Sequence, residues 1–353
     1  MFNVEILGGV GEYGRNCFYI ENAGHAILLD CGVMNNEENS PPDLRQAHVA
    51  NLDAVFISHS HKDHVGALPM LEKMGYSGDI FMSKMTAKQL KQSYKNTKIL
   101  QLESIETWLR VSDCLEFQWG YSGHLVGSVW YKVRFFERVI FFSGDYVSDS
   151  YLLKATLPIE DGTTYDLALI DSGHIEKNIN NWDVLERMKD YINENPTFPI
   201  IFPSSFSGKT ADIATYLFQH TAREVNIDKE YFSFFEDYYD SPDNLLPTMY
   251  ETILRLFRGN CFRERAESKN AIFFVPEINE WRIEMLLQEY PNAIVIFTGY
   301  LKKNGYFKKI AENEDQSKQF FYKTHLDYCD IMEFSKKINA TEIIYFHSQF
   351  TNT

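Results

Sequence analysis

Short runs of β-branched and aromatic residues that stop abruptly at a His or an Asp recur along this chain, at His25–Asp30, Ala54–His59, Arg138–Asp145, Asp166–Asp171 and Thr341–His347. Apolar runs this short predict buried strands, because a helix needs about ten or more residues with a repeating apolar face. Strand ends are where layered folds carry their chemistry. One such ending would mean little. Several that carry only imidazole and carboxylate predict strand ends converging on a metal.

The texture changes along the chain. Up to about Ser172 the pattern is strand-rich, with helices predicted over Val65–Met74 and Ala87–Lys95. Beyond about Glu176, helices predicted at Trp182–Asn193, Thr210–His220 and Glu280–Glu289 alternate with strands at Pro199–Pro203, Ala271–Val275 and Ala293–Phe297. That alternation predicts a parallel-sheet α/β unit. The last segment returns to the first theme, with a helix at Tyr328–Lys337 and a strand that stops at His347. The simplest organisation is one domain (1–175 and 321–353) interrupted by a second (176–320).

With 353 residues, 44% of them hydrophobic, the chain can build a real core and is not a disordered or low-complexity polymer. The longest apolar runs, Ala271–Pro276 and Ala293–Phe297, fall far short of the ~20 residues of a membrane span. The start shows no basic flank leading into an apolar stretch. A soluble, cytoplasmic protein with no membrane partner is expected. Cysteines at 17, 31, 114, 261 and 329 form no Cys-x-x-Cys pair, and an odd number fits reduced thiols. A net charge of −15 excludes a protein that grips nucleic acid by bulk positive charge, though not one with a local basic groove. Lys302, Lys303, Lys308 and Lys309 sit without an acid between Leu301 and Ile310 and read first as solvated surface.

The strongest chemical signal is Ser58-His59-Ser60-His61-Lys62-Asp63-His64, directly after the strand predicted at Ala54–Ile57. In an extended segment, positions i and i+2 point the same way, so His59 and His61 can grip one metal while the following turn aims Asp63 and His64 elsewhere. A borderline-soft dication such as Zn²⁺ needs further N or O ligands. The candidates are His124 in Ser122-Gly123-His124, Asp145 in Ser143-Gly144-Asp145, and His347 in Tyr345-Phe346-His347-Ser348.

This set of motifs resembles the metallo-β-lactamase superfamily, and the flanking segments are similar to its nucleic-acid-processing β-CASP branch. Gly8–Cys17 is similar to the N-terminal hairpin of that branch, and Asp30-Cys31-Gly32 matches its first Asp motif. Ser58–Pro69, Ser122–Ser128 and Ser143–Tyr146 match the next three. Leu169-Ile170-Asp171-Ser172, Phe297-Thr298-Gly299-Tyr300 and Thr324-His325-Leu326-Asp327-Tyr328 resemble segments peculiar to the branch. The resemblance implies a metallo-β-lactamase αββα sandwich with an inserted α/β β-CASP domain. It implies two Zn²⁺ ions, with Mn²⁺ as the alternative: His59, His61 and His124 on one, Asp63, His64 and His347 on the other, and Asp145 on both. Asp30 would orient a ligand. Asp63, Asp171 and His325 are the catalytic residues it implies, with His325, oriented by Asp171, protonating the leaving oxygen. The implied activity is a zinc-dependent nuclease whose partner is nucleic acid, RNA ahead of DNA, with a homodimer also open.

Three other readings stay open. A small-molecule metallo-hydrolase acting on a thioester or lactone would not need the inserted α/β unit. A scaffold subunit of an RNA-processing complex would keep the metals for structure alone. A diiron oxidoreductase ranks lower, since His61 stands where the similar motif of that branch has Glu. Ser207-Gly208-Lys209-Thr210 is not a nucleotide-binding loop, because Pro203 stands where that loop has its first Gly. A helix beginning there can still offer N–H groups to a phosphate, or be an ordinary helix start. The aromatic stretch Tyr231–Tyr239 can stack bases, but packing is the stronger reading.

Overall fold

The computed structural model describes residues 2–90, 92–158, 162–173, 178–301 and 305–348. In chain order the elements are β1 (Asn3–Gly8), β2 (Cys17–Asn22), β3 (His25–Leu29), α1 (Gln46–Ala50), β4 (Leu52–Phe56), α2 (Lys62–Val65), α3 (Leu68–Lys73), β5 (Asp79–Met82), α4 (Lys84–Gln89), β6 (Thr97–Ile99), β7 (Leu109–Arg110), β8 (Leu115–Tyr121), β9 (Val129–Phe135), β10 (Arg138–Phe142) and β11 (Tyr165–Asp171). They continue with α5 (Asn181–Glu194), β12 (Ile200–Ser204), α6 (Gly208–His220), β13 (Val225–Ile227), α7 (Phe232–Tyr239), α8 (Met249–Arg258), β14 (Ile272–Pro276), α9 (Glu280–Glu289), β15 (Ile294–Phe297), α10 (Tyr306–Ala311) and β16 (Ser317–Gln319). The last two are α11 (Tyr328–Ile338) and β17 (Ala340–Phe346).

The chain divides into two compact units. The first holds the described residues of 1–148, 155–178 and 324–353, and the second those of 149–154 and 179–323. The expected boundary at 175/176 falls on residues outside those described.

In the first unit, two six-stranded sheets run in the orders β1-β2-β3-β4-β5-β6 and β17-β11-β10-β9-β8-β7. Alternation along each strand sorts its side chains. Ile27 and Leu29, Ala54 and Phe56, Ile140 and Phe142, and Leu167 and Leu169 share one buried cluster between the sheets. Their neighbours Ala26, Leu28, Val55 and Ile57 face outward against Val49, Leu68 and Leu71 of the helical layer. On the other side, Phe141, Ala168 and Ile170 meet Ile331, Phe334 and Ile338 of α11. Both faces of each sheet are therefore covered, which is why these strands read as continuous apolar runs.

The helix predicted over Val65–Met74 is broken. Pro69 has no N–H and fits only a first turn, so α3 restarts at Leu68 after the short α2. The helix predicted over Ala87–Lys95 lies earlier, at Lys84–Gln89, because Ser83 caps it by accepting the Thr86 N–H.

The second unit is built on a parallel sheet in the order β13-β14-β12-β15-β16. The aromatic stretch forms α7, where Phe234, Phe235 and Tyr238 are buried and Phe232 and Tyr239 are exposed. Residues 149–154 join this unit through Asp212 on α6. Its carboxylate accepts from the Ser150 hydroxyl at 2.9 Å, the Tyr151 N–H at 3.1 Å, the Leu152 N–H at 3.0 Å and the Tyr322 hydroxyl at 2.6 Å.

Candidate metal centre

Six strands of the first unit end at one rim, and each hands its chemistry to the residues that follow. Asp30 follows β3 and the His59–His64 block follows β4, parallel to it. His124 follows β8, Asp145 follows β10, Asp171 closes β11 and His347 follows β17. Asp30 (φ 56°) and His347 (φ 65°) leave their strands through the left-handed region, which turns each side chain off the strand axis. The loops approach too closely for ordinary side chains. A Cβ on Gly32 would stand 1.7 Å from the Asp63 carbonyl oxygen, and one on Gly144 (φ +53°) would stand 2.6 Å from the Ser58 Cβ.

Asp145 lies at the centre. Its Oδ2 is 3.5 Å from both His59 Nε2 and His124 Nε2, and its Oδ1 is 3.2 Å from His64 Nε2. His61 Nδ1 lies 3.2 Å from His124 Nε2. On the other side, His347 Nε2 is 3.0 Å from Asp63 Oδ2. His325 Nδ1 is 3.0 Å from Asp171 Oδ2, and its ring stacks on His347 with centroids 4.5 Å apart. The donors fall into three close groups: His59, His61, His124 and Asp145; Asp63, His64 and His347; and Asp145, Asp171, His325 and His347. Every site residue expected from the sequence is thus brought into one cluster.

The outward nitrogens are fixed from behind. The Asp30 carboxylate takes His64 Nδ1 at 2.6 Å, and the Thr324 carbonyl takes His124 Nδ1 at 2.7 Å. In both rings that leaves Nε2 turned toward Asp145; burial would lower His64, but Asp145, Asp30 and Asp63 outweigh it and hold that ring well above the ordinary histidine pKa. Burial drives His59 and His124 well below the ordinary histidine pKa, so they are neutral donors. Burial would lower His347 too, but Asp145 and the bond to Asp63 outweigh it and raise the ring to about 9. Burial would raise Asp145, yet His64, His347, His325 and His59 around it hold its carboxyl well below the usual range. An anionic centre ringed by imidazoles is a place where a cation displaces protons.

The cluster fits a metal ion. His59 Nε2, Asp145 Oδ1 and His347 Nδ1 are buried and have no aligned hydrogen-bond partner among the described residues. Buried polar atoms are rarely left this way, and three in one cluster of imidazole and carboxylate have the chemistry of metal ligands.

Sequence reasoning missed Asn16, whose amide nitrogen lies 2.9 Å from His64 Nε2. It also missed Ser58, which donates its N–H and hydroxyl to Asp30 at 2.7 Å each. Asn16 sits inside the Gly8–Cys17 motif, which was the available signal; Thr324 acts through its backbone, so its identity gives none.

A two-sheet sandwich with a His/Asp cluster on its strand-end loops is an arrangement suited to holding metal ions. The family model for the metallo-beta-lactamase superfamily matches residues 10–74. The chain is similar to Transcription termination factor FttA of Methanothermobacter thermautotrophicus, 35% identical over 116 residues that make up 31% of this chain and 17% of the relative. It is similar to Integrator complex subunit 11 of Danio rerio, 29% identical over 174 residues, 40% of this chain and 29% of the relative. It is also similar to Ribonuclease J of Mycolicibacterium smegmatis, 31% identical over 104 residues, 27% of this chain and 19% of the relative. The matched stretches therefore span less than a third of these relatives. A crystal structure of a protein of unknown function from Enterococcus faecalis shares the fold with a TM-score of 0.66 at 13% identity, covering 99% of this chain and 96% of that one. Residues 10–74 thus match the metallo-beta-lactamase superfamily, and the relatives that the chain matches over part of its length are members of the β-CASP branch.

Proposed function

We propose that this chain is a cytoplasmic phosphodiester hydrolase that cuts RNA, with two zinc ions held by its His/Asp cluster. His59, His61 and His124 would hold one ion, Asp63, His64 and His347 the other, and Asp145 both. The observation that carries the reading is Asp145, whose two oxygens face the two donor groups separately. An all-N/O donor set without thiolate suits zinc, with manganese next. Similarity to a protein named Ribonuclease J favours RNA over DNA. Five free cysteines agree with a reducing compartment. Among the described residues, no helix is long and apolar enough to cross a membrane.

Bound metal would supply Lewis acidity at the phosphoryl group and an activated water at neutral pH. The chain's own residues do the rest. Asp30 and the Thr324 carbonyl hold His64 and His124 in one tautomer. Asp63, bonded to His347, fixes that ring at the cluster's edge. Asp171 accepts from His325 Nδ1, so the proton that His325 can pass to a leaving oxygen is the one on Nε2.

The test is cleavage of end-labelled single-stranded RNA and DNA by the full chain loaded with zinc or manganese. RNA cleavage that stops on chelation and returns with metal is expected. Two bound ions with no cleavage of either polymer would leave the scaffold reading standing instead.

A further inference from the structure

In the second unit, β14, β12 and β15 lie side by side and parallel, so the loops that leave their C-terminal ends share one rim. From β12 the chain passes through α6 to β13 on one side. From β15 it passes through α10 to β16 on the other. Divergence of this kind opens a crevice between β12 and β15, the position where open α/β sheets bind ligands.

Each of the three loops exposes a large apolar side chain: Phe206 after β12 (39% exposed), Ile278 after β14 (73%) and Tyr300 after β15 (60%). Both aromatic rings are backed by a second ring, Phe206 by Tyr231 at 4.7 Å and Tyr300 by Phe321 at 5.3 Å. A ring held this way loses little freedom when something stacks on it. Between them stands Lys209, in the first turn of α6. Its Nζ is 2.9 Å from the point a Cβ on Gly299 would occupy, so the ammonium fills the space that residue leaves. Lys209 has no hydrogen bond or ion pair among the described residues, and Glu277 is the one charge acting on it. Lys308 and Lys309, exposed on α10, add positive charge to the loop that follows β15; Lys302 and Lys303 lie outside the described residues.

An unpaired cation flanked by propped, exposed rings has the composition of a single-strand platform, on which phosphates meet charge and bases meet π-faces. Resting on the nuclease reading, we propose that this rim is a ledge for single-stranded nucleic acid, with Lys209 taking a backbone phosphate and Phe206 and Tyr300 each stacking a base.

The test is fluorescence-anisotropy binding of a labelled single-stranded RNA to the full chain across a salt series. Lys209→Gln is expected to weaken binding whatever the sequence and to lower the salt slope by about 0.7, one phosphate contact on a single strand. Lys209→Arg should keep that slope. Phe206→Ala and Tyr300→Ala should each cost about 5- to 100-fold in affinity with the slope unchanged. Phe206→Trp should retain affinity. Thermal melts of the Phe206 and Tyr300 variants should match wild type, since those rings lie at the surface, and Lys209→Gln, at a largely buried position, should melt within about 2–4 °C of it. An unchanged slope in Lys209→Gln, unchanged affinity in both alanine variants, or equal affinity for duplex RNA would each overturn the ledge while wild-type cleavage of RNA still stood. Loss of wild-type cleavage and binding together would overturn the nuclease reading itself.

Discussion

Asp30 and His64 are joined through a 2.6 Å contact between a carboxylate oxygen and Nδ1, with neither residue exposed. Ser58 holds Asp30 in turn, so the His64 ring is fixed two layers deep. Such carboxylate–imidazole pairs set the tautomer and raise the basicity of the other nitrogen. Asp30→Asn keeps the shape and removes the charge. Affinity for one of two metal ions should fall about 10- to 100-fold, read by competition with a chromophoric chelator. Unchanged affinity for both ions would show that Asp30 only packs the loop.

Asp145 faces both donor groups, so its loss should be felt at both. Asp145→Ala should lose both ions or leave one loosely held, while circular dichroism still reports a folded chain. Elemental analysis finding two ions retained after dialysis would remove Asp145 from the bridging position.

His325 and His347 stack on each other, yet their expected roles differ. Removing a general acid costs about 10²- to 10⁴-fold in rate without loss of metal. His325→Ala should behave this way on RNA and recover much of its rate on an aryl phosphodiester, whose phenoxide leaves without a proton. His347→Ala should lose metal and fail on both substrates. Because His325 also falls in a donor group with Asp145, Asp171 and His347, metal loss in His325→Ala would make it a ligand and cancel the acid role.

The metal cluster was legible because its residues stand at the ends of strands whose apolar runs are continuous, and the His59–His64 block has few other uses. Position after a strand is a local property, and pattern reads local properties well. The strap at 149–154 was not legible, since Asp212 looks like any polar residue on a helix until tertiary packing buries it. α8 escaped for a related reason. Its buried residues Thr252, Ile253 and Leu256 form a narrow stripe among Arg and Glu. The break before α3 could be read from Pro69, and the early start of α4 from Ser83, each a one-residue signal that the apolar periodicity around it obscures.

Gly32 carries no unusual φ, yet it is where two loops of the site meet, its N–H bonded to the Asn16 carbonyl at 3.0 Å. A methyl there would strike the Asp63 carbonyl at 1.7 Å and the His64 nitrogen at 2.7 Å, backbone atoms that cannot rotate away. Gly32→Ala should destabilise by about 3 kcal/mol or more, a fall of roughly 6–12 °C in melting temperature, and should weaken metal binding. Gly305→Ala, where nothing lies within 4 Å and the backbone is extended, is the matched control and should melt within about 1–2 °C of wild type. Equal melting of the two variants would mean that the loops can part without cost.

Asp212 is buried beneath the 149–154 strap, and burial pushes its carboxyl up to about 6 against the bonds from Tyr322, Ser150 and two backbone N–H groups that pull it down. An acid whose folded pKa lies above its unfolded value of about 3.9 binds more protons when folded than when unfolded between the two. Its contribution to stability is therefore greatest below about pH 4, is lost as pH rises toward 6, and stays constant above that. A shift of about two units corresponds to as much as about 3 kcal/mol. Asp212→Asn keeps an acceptor and carries no charge, so its own offset in stability is the same at every pH. Denaturant unfolding of wild type and variant at pH 4, 5, 6 and 7 should show wild type losing ground to the variant from 4 to 6 and running parallel above 6. Protonation of the metal cluster affects both chains alike and cancels in the difference. A difference that stays flat from pH 4 to 7, or that grows in favour of wild type, would mean that the strap is pinned by an ionised carboxylate.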